Sequence, residues 1–250
     1  MDQAYMEAVR FFPPGIRARL EQFPAREQEG VREICLRAER PLAVCRFDGP
    51  VFLGEDGRFS SGIPVRPYRV KEAELAEFLR ILTGYSLHSY EQEIRAGFLT
   101  VQGGHRAGLA GSCIWGQEGV QTIREISSVT FRIARQIRGC SSVLLRRLFQ
   151  EGLCSVLIAG PPASGKTTLL KDLARGLSDG ETGRPVKVSL IDERGELAAV
   201  CRGIPQNDVG VMTDVFDGYP KEIGMLQAIR AMTPQAIVLD EIAGEAEMRS

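Results

Sequence analysis

Hydrophobic and polar positions follow different patterns in the two halves of the chain. In the first half, short apolar runs separated by turn-forming residues predict a small antiparallel meander over 33–59. Apolar residues at helical spacing predict three further segments of helix. These are 3–27, which is broken by Pro13 and Pro14, then 70–83 and 86–95.

The residues that follow predict more sheet structure. The segment 97–116 is typical of a hairpin that turns at Gly103 and Gly104, and 127–137 alternates apolar and polar residues as a half-buried strand does. A Ser before an apolar run and a Gly after it predict a helix over 141–152. We therefore expect a smaller α+β domain at the N-terminal end, over 1–140.

The second half alternates strands with helices. Strands are predicted at 155–160, 183–193 and 234–242, with helices at 165–177 and 222–232 between them. Such alternation favours a parallel sheet with helical crossovers. The predicted fold class is thus α/β, with a parallel-sheet domain over 141–250 behind the α+β domain.

Composition narrows the function only a little. The net charge of −1 and the aromatic content of 7% argue against a nucleic-acid partner. Six cysteines and two histidines show no C-x-x-C spacing, so no zinc site is expected and the thiols are interpreted as reduced, as in a cytosolic protein. The start of the chain lacks the pattern of a signal peptide, and no run approaches the ~18 apolar residues of a membrane span.

The stretch from Gly160 to Thr167 fits G-x-x-x-x-G-K-[ST], between an apolar run and a helix. Glycines let the backbone N–H groups approach a polyphosphate, and the helix directs its positive dipole end toward that anion. Lys166 is placed to reach the β and γ phosphates. The predicted nucleotide-binding residues are Gly160, Pro161, Pro162, Ala163, Ser164, Gly165, Lys166, Thr167 and Thr168.

Two carboxylates follow the apolar strand at 234–242. In a phosphate-loop enzyme, Asp240 would join the Thr167 hydroxyl in holding Mg²⁺, which prefers oxygen ligands. Glu241 would orient or deprotonate the attacking water. The alternative interpretation is two solvated carboxylates where a strand enters a loop.

The segment "DERGE" follows another predicted strand, and parallel strands end at the same edge of a sheet. One carboxylate among Asp192, Glu193 and Glu196 is therefore a candidate to assist the metal or the water. The alternative is a charged loop in which Arg194 pairs with an acidic neighbour.

Several stretches together resemble the stage III sporulation protein AA family, which is similar to the hexameric ATPases of type II and type IV secretion systems. The most specific are "DERGEL" and "PKEIGMLQAIRAMTPQAIVLDEI". The resemblance implies a RecA-like domain that binds ATP and Mg²⁺ between the subunits of a homo-oligomer, a hexameric ring. It also implies an ATPase on the mother-cell side, peripheral to the membrane, which energises a trans-envelope sporulation channel through membrane-bound subunits.

The resemblance also implies roles for individual residues. Lys166 and Glu241 would be catalytic, and Glu193 is the residue expected to act in place of the acidic box of secretion ATPases. In such ATPases, arginines of the N-terminal domain contact the nucleotide bound by a neighbouring subunit. The arginines in "IREISSVTFRIAR" are the candidates for this role here. They are Arg124, Arg132 and Arg135. The alternative for all of them is a surface arginine on a strand.

A RecA-like sheet continues beyond the strand that carries Asp240, so the sheet encoded here is expected to be truncated, with weakened hydrolysis. The main hypothesis is a motor ATPase. A nucleotide-dependent switch without significant hydrolysis, and a nucleic-acid-binding phosphate-loop protein, are the alternatives.

Overall fold

A computed structural model describes residues 1–116, 119–162 and 164–241. The chain divides into two compact units, Met1–Arg135 and Gln136–Ser250. Each unit has a hydrophobic core built from its own residues. The boundary falls slightly before the one expected from the sequence.

The first unit is an antiparallel seven-stranded sheet in the order β4-β3-β2-β1-β7-β6-β5. Its strands are β1 (Val31–Arg37), β2 (Ala43–Arg46), β3 (Gly49–Leu53), β4 (Phe59–Ser60), β5 (Phe98–Thr100), β6 (Arg106–Gly116) and β7 (Gly119–Arg132). Its helices are α1 (Gln3–Val9), α2 (Pro14–Leu20), α3 (Glu72–Leu82) and α4 (Glu91–Ala96). The predicted meander, the proline break between two helices and the following helices are confirmed.

The core of this unit lies between the helices and one face of the sheet. The Phe12 ring stacks on Phe78 of α3 with centroids 4.5 Å apart, and both meet the edge of Phe131 from β7. The Tyr5 hydroxyl donates a hydrogen bond of 2.8 Å to the carbonyl of Leu20, so α1 is tied to α2. Burying these aromatic rings adds to the stabilisation that the hydrophobic core gives the unit.

The predicted hairpin at Gly103 is present, but a longer one was missed. β6 pairs with β7 along its length, from Arg106 opposite Arg132 to Gly116 opposite Gly119. The strand predicted at 127–137 therefore begins earlier and ends sooner. The register shifts three times along this pair, and each shift interrupts the alternation by which a strand is recognised in sequence.

The second unit contains a three-stranded parallel sheet in the order β10-β8-β9. Its elements are α5 (Ser142–Leu148), α6 (Lys166–Ser178), β8 (Val188–Asp192), β9 (Thr213–Asp217), α7 (Lys221–Met232) and β10 (Ala236–Leu239). All five residues of β8 are buried, as expected for a central parallel strand. The hydrophobic pattern of the sequence does not predict β9.

The prediction of a strand at 155–160 is wrong. Residues 153–160 carry no strand pairing, and the Leu157 side chain is 77% exposed. An apolar run is a local signal, whereas a strand needs a partner with which to exchange backbone hydrogen bonds. Among the described strands, β10 pairs only with β8. The described residues of the second unit thus contain the predicted parallel sheet as the three strands β10-β8-β9, and its RecA-like character stays a prediction.

Candidate functional site

The phosphate-loop sequence leads directly into α6. Gly165 caps this helix with φ +91°, a left-handed conformation that glycine adopts without steric cost. At Gly160, an added Cβ would lie 2.9 Å from the Ser164 Oγ. The backbone conformation therefore requires a glycine at 165, whereas at 160 the Ser164 hydroxyl would have to move to admit a side chain. Ala163 lies outside the described residues.

The Lys166 side chain folds back over the loop. Its Nζ donates hydrogen bonds of 2.9 Å to the carbonyl oxygens of Gly160 and of Pro161. A concavity of about 600 Å³ opens beside it, bounded by the loop and by apolar side chains that include Ile158 and Leu169. The ammonium group thus lies at a loop whose backbone N–H groups and helix N-terminus favour an anion.

The neighbouring predicted residues are arranged along this loop. Thr167 lies half-buried in the first turn of α6, and Thr168 lines the concavity. Pro162 is an exposed residue of the loop turn. The threonine hydroxyl and the lysine ammonium are consequently presented from consecutive residues of one helix N-terminus.

Asp240 follows β10 directly, at the carboxyl edge of the parallel sheet. Burial raises the pKa of its carboxyl group, and the negative charges of Glu196 and Asp192 raise it further. The carboxylates of Asp240, Glu196 and Asp192 also act on Lys171 of α6. Burial lowers the pKa of Lys171, and these carboxylates raise it. The edge of the sheet therefore concentrates negative charge that a cation would offset.

Asp192 is committed to the backbone. Its fully buried carboxylate accepts hydrogen bonds from the N–H groups of Glu196, Leu197 and Ala198, at distances of 2.7–3.1 Å. These bonds hold the turn of the "DERGE" segment. Of the three carboxylates left open by the sequence, Asp192 has an evident structural role.

Glu193 forms an ion pair with a buried lysine. The Nζ of Lys221, whose side chain is 6% exposed, lies 3.0 Å from the Glu193 Oε2. Lys221 is the first residue of α7, so the pair connects the "DERGE" segment to that helix. Neither Lys221 nor Lys171 was identified from the sequence, because their closeness to the carboxylates depends on how the helices pack on the sheet.

Glu241 pairs with the arginine of the same segment. The Arg194 Nη1 lies 2.9 Å from the Glu241 Oε2. Arg194 thus pairs with an acidic side chain, and the role of the carboxylates of the "DERGE" segment stays a prediction. The carboxylate predicted to activate water and the "DERGE" segment are brought together at one edge of the sheet.

The three candidate arginines differ in their surroundings. Arg135 donates hydrogen bonds to the carbonyls of Val31 and Gln28, and Arg132 pairs with Glu33 at 3.1 Å. Arg124 is exposed on β7, and its side chain has no hydrogen-bond or ion-pair partner within the described part of the chain. Of the three, Arg124 has the side chain most available to another molecule.

Nearly the whole chain resembles known sequences. It matches the family described as "Sporulation stage III, protein AA" over residues 6–250. It is 38% identical over 237 residues to the stage III sporulation protein AA of Bacillus subtilis (strain 168), which covers 94% of this chain and 73% of that protein. The chain belongs to the sporulation stage III, protein AA family. The resemblance inferred from the sequence motifs is confirmed.

The chain is also similar to solved structures of two other proteins. The Legionella pneumophila ATPase DotB aligns with a TM-score of 0.54 at 15% identity, covering 95% of this chain and 62% of that chain. The pilus retraction motor PilT with bound ADP aligns with a TM-score of 0.50 at 15% identity, covering 88% and 58%. The chain spans less than two thirds of either of these proteins. At this identity the likeness establishes a shared fold, that of DotB and PilT.

Within residues 1–116, 119–162 and 164–241, no helix is both long and apolar enough to cross a membrane.

Proposed function

We propose that this chain binds and hydrolyses ATP as a motor ATPase that energises a trans-envelope channel during sporulation. The observation that carries the proposal is the position of Lys166. Its ammonium group lies against the loop carbonyls of Gly160 and Pro161, beside a concavity and a helix N-terminus. A triphosphate entering there would exchange those two carbonyls for phosphate oxygens, which bind an ammonium group more strongly.

The donor set suits Mg²⁺. Thr167 supplies a hydroxyl and Asp240 a carboxylate, both hard oxygen ligands. Burial raises the pKa of Asp240, the charges of Glu196 and Asp192 raise it further, and a divalent cation would offset that accumulated negative charge. When bound, Mg²⁺ would neutralise charge on the phosphates. Thr167 and Asp240 would hold it, and Lys166 would bind the β and γ phosphates.

Glu241 is the proposed general base. It follows Asp240, is exposed to solvent, and has one oxygen paired with Arg194. That pairing fixes the direction of the carboxylate while the second oxygen remains available to accept a proton from water. Glu193, held by Lys221, is the proposed substitute for the acidic box of secretion ATPases.

The proposed working form is a homo-oligomer, a hexameric ring with ATP between subunits. It would sit on the mother-cell side, peripheral to the membrane and docked on membrane-bound subunits of the channel. The shared fold with DotB and PilT supports this arrangement. Arg124, exposed on β7, is the arginine we assign to a neighbouring subunit's nucleotide, where it would stabilise charge in the transition state.

One observation favours a second function. The Arg194–Glu241 pair could hold the base away from water, in which case the protein would be a nucleotide-dependent switch without significant hydrolysis. The two functions predict the same nucleotide binding and differ in turnover.

Phosphate release and nucleotide binding, measured on the parent chain and its variants, test the proposal. We expect Glu241→Gln to bind ATP and lose turnover by about 10²–10⁴-fold, the range for a general base. Lys166→Ala should lose about 10–100-fold in ATP affinity, because a charge-assisted contact is removed. Lys187→Ala, a lysine of the same unit outside the loop, is the matched control.

Two results would contradict the motor function. If the parent and Glu241→Gln bind equally and neither turns over, the switch is the better description. If Lys166→Ala binds ATP as the parent does, the loop is not a nucleotide site at all.

A further inference from the structure

Two thiols and a carboxylate converge in the first compact unit. The Sγ atoms of Cys35 and Cys45 lie 3.8 Å apart. A Glu33 carboxylate oxygen joins them, with all three ligand atoms within 4.8 Å of one another. These groups belong to the antiparallel sheet and take no part in the proposed nucleotide site.

The strand register explains the convergence. Glu33 and Cys35 are two residues apart on β1, so both point to the same face of the sheet. Cys45 on β2 lies directly opposite Glu33. The alternate residues of β1, Ile34 and Leu36, belong to the hydrophobic core on the opposite face of the sheet. Because β1 is paired on both sides, by β2 and by β7, the ligand positions are held by a continuous ladder.

The spacing of the sulfurs matches a tetrahedral metal site. Two thiolates at the usual Zn–S distance of about 2.3 Å and at a tetrahedral angle lie about 3.8 Å apart. That is the separation of the Cys35 and Cys45 sulfurs in this structure. The two cysteines are therefore pre-positioned as a pair of ligands.

A contact from outside the cluster holds its carboxylate. Glu33 accepts a hydrogen bond of 3.1 Å from the Nε of Arg132. This outer contact orients the carboxylate, as second-shell donors do for metal ligands.

We propose that Glu33, Cys35 and Cys45 form a binding site for a thiophilic divalent cation, with Zn²⁺ as the best match. Two thiolates and one carboxylate suit a borderline-soft metal, and the fourth position would take water or the Thr130 hydroxyl. The Thr130 Oγ1 lies 3.8 Å from the Cys35 Sγ. A metal held there links β1 to β2 and stabilises the sheet of the first unit.

Cobalt spectroscopy of the full chain tests the site. The reduced, metal-free protein is titrated with Co²⁺, and we expect near-ultraviolet thiolate-to-cobalt bands that saturate at a single cation per chain and disappear on adding Zn²⁺. Cys35→Ser and Cys45→Ser should weaken Zn²⁺ binding by more than the ~10–100-fold that loss of an outer-shell partner costs. The matched control is Cys113→Ser, an exposed cysteine of the same unit, which should bind as the parent does.

A measurement on the parent guards against variants that fail to fold. Zn²⁺ should slow alkylation of Cys45 and Cys35, mapped by mass spectrometry, and leave Cys113 unaffected. The proposal is overturned if the parent shows no thiolate bands, if Cys113→Ser loses them equally, or if Zn²⁺ protects all three cysteines alike. A Cys35–Cys45 disulfide in freshly isolated protein, in place of a bound metal, would also overturn it.

Discussion

Arg194 and Glu241 form an ion pair of 2.9 Å between the loops that follow β8 and β10. Both side chains are more than half exposed, so the pair contributes at most about 1 kcal/mol to the stability of the fold. Its consequence is geometric, because it fixes the direction of the carboxylate that we assign as the base.

Replacing Arg194 should therefore affect turnover and leave nucleotide binding unchanged. We expect Arg194→Ala to reduce the rate of phosphate release by about 10-fold, less than the ~10²–10⁴-fold attributed to a general base itself. Arg194→Lys should restore part of the loss. Arg184→Ala, an exposed arginine of the same unit, should behave as the parent. Faster turnover in Arg194→Ala would instead show that the pair holds Glu241 in an inactive direction.

The cost of replacing Gly165 should depend on how well the new residue adopts its backbone conformation, and not on the size of the new side chain. Its φ is +91°, and an added Cβ would meet nothing within 4 Å. We expect Gly165→Val to lose stability by about 1–2 kcal/mol and to lose ATP affinity, because a branched residue is strained in this region. Gly165→Asn should be milder, since asparagine visits left-handed conformations. Thermal unfolding and nucleotide binding check this, and equal losses in both variants would point to side-chain volume as the cause.

The Glu193–Lys221 pair separates a structural role from a catalytic one. Lys221 is buried, so Glu193→Gln should cost about 1–3 kcal/mol by removing a partner of a buried charge. Adding Lys221→Met should recover stability, because it removes that charge. Urea unfolding measures the recovery. If turnover is also restored in the double variant, Glu193 acts only through the fold. If it is not restored, a role in hydrolysis stands.

Asp172 should make the second unit sensitive to acid. Its buried carboxylate pairs with Arg175 at 2.8 Å and accepts hydrogen bonds from Ser141 and from the Gly139 N–H. Burial alone would raise its pKa, but the bonds from Ser141, Arg175 and Gly139 outweigh burial and lower the pKa below its usual range. Because the folded pKa is depressed, the stabilisation is present above the unfolded value of about 3.9 and is lost as the pH falls below it.

The measurement is urea unfolding of Asp172→Asn against the parent. At neutral pH we expect a loss of about 3 kcal/mol, as for a broken buried ion pair. The difference should shrink as the pH is lowered below about 4. Glu222→Gln, an exposed carboxylate of the same unit, should stay within about 0.5 kcal/mol of the parent. A loss that does not change with pH would mean that the charge of Asp172 is not what stabilises the unit.

The parts of the site that the sequence predicted are those that contiguous residues encode. The motif from Gly160 to Thr167 contains its own turn, lysine and helix start, and Asp240 and Glu241 follow an apolar strand. Their placement at the loop and at the sheet edge was therefore foreseeable. Their catalytic and metal-binding roles remain proposals.

What could not be predicted depends on pairing between distant residues. The contact of Glu193 with Lys221 requires the packing of α7, and the contact of Cys35 with Cys45 requires the register of β1 against β2. The prediction of a strand at 155–160 was wrong because it rested on the local apolar pattern alone. In the described part of the chain, no partner strand pairs with these residues. Local pattern determines what a segment can form, and long-range pairing determines what it does form.

The place of β1 at the centre of its sheet sets an order of events during synthesis. β2 is made immediately after β1, but β7, which covers the other edge, follows much later, with Glu33 and Arg132 separated by 99 positions. At ribosomal rates of about 5–20 residues per second, the edge of β1 therefore stays open for about 5–20 seconds. Throughout that interval the backbone N–H and C=O groups along this edge of β1 are unpaired and can pair with another chain.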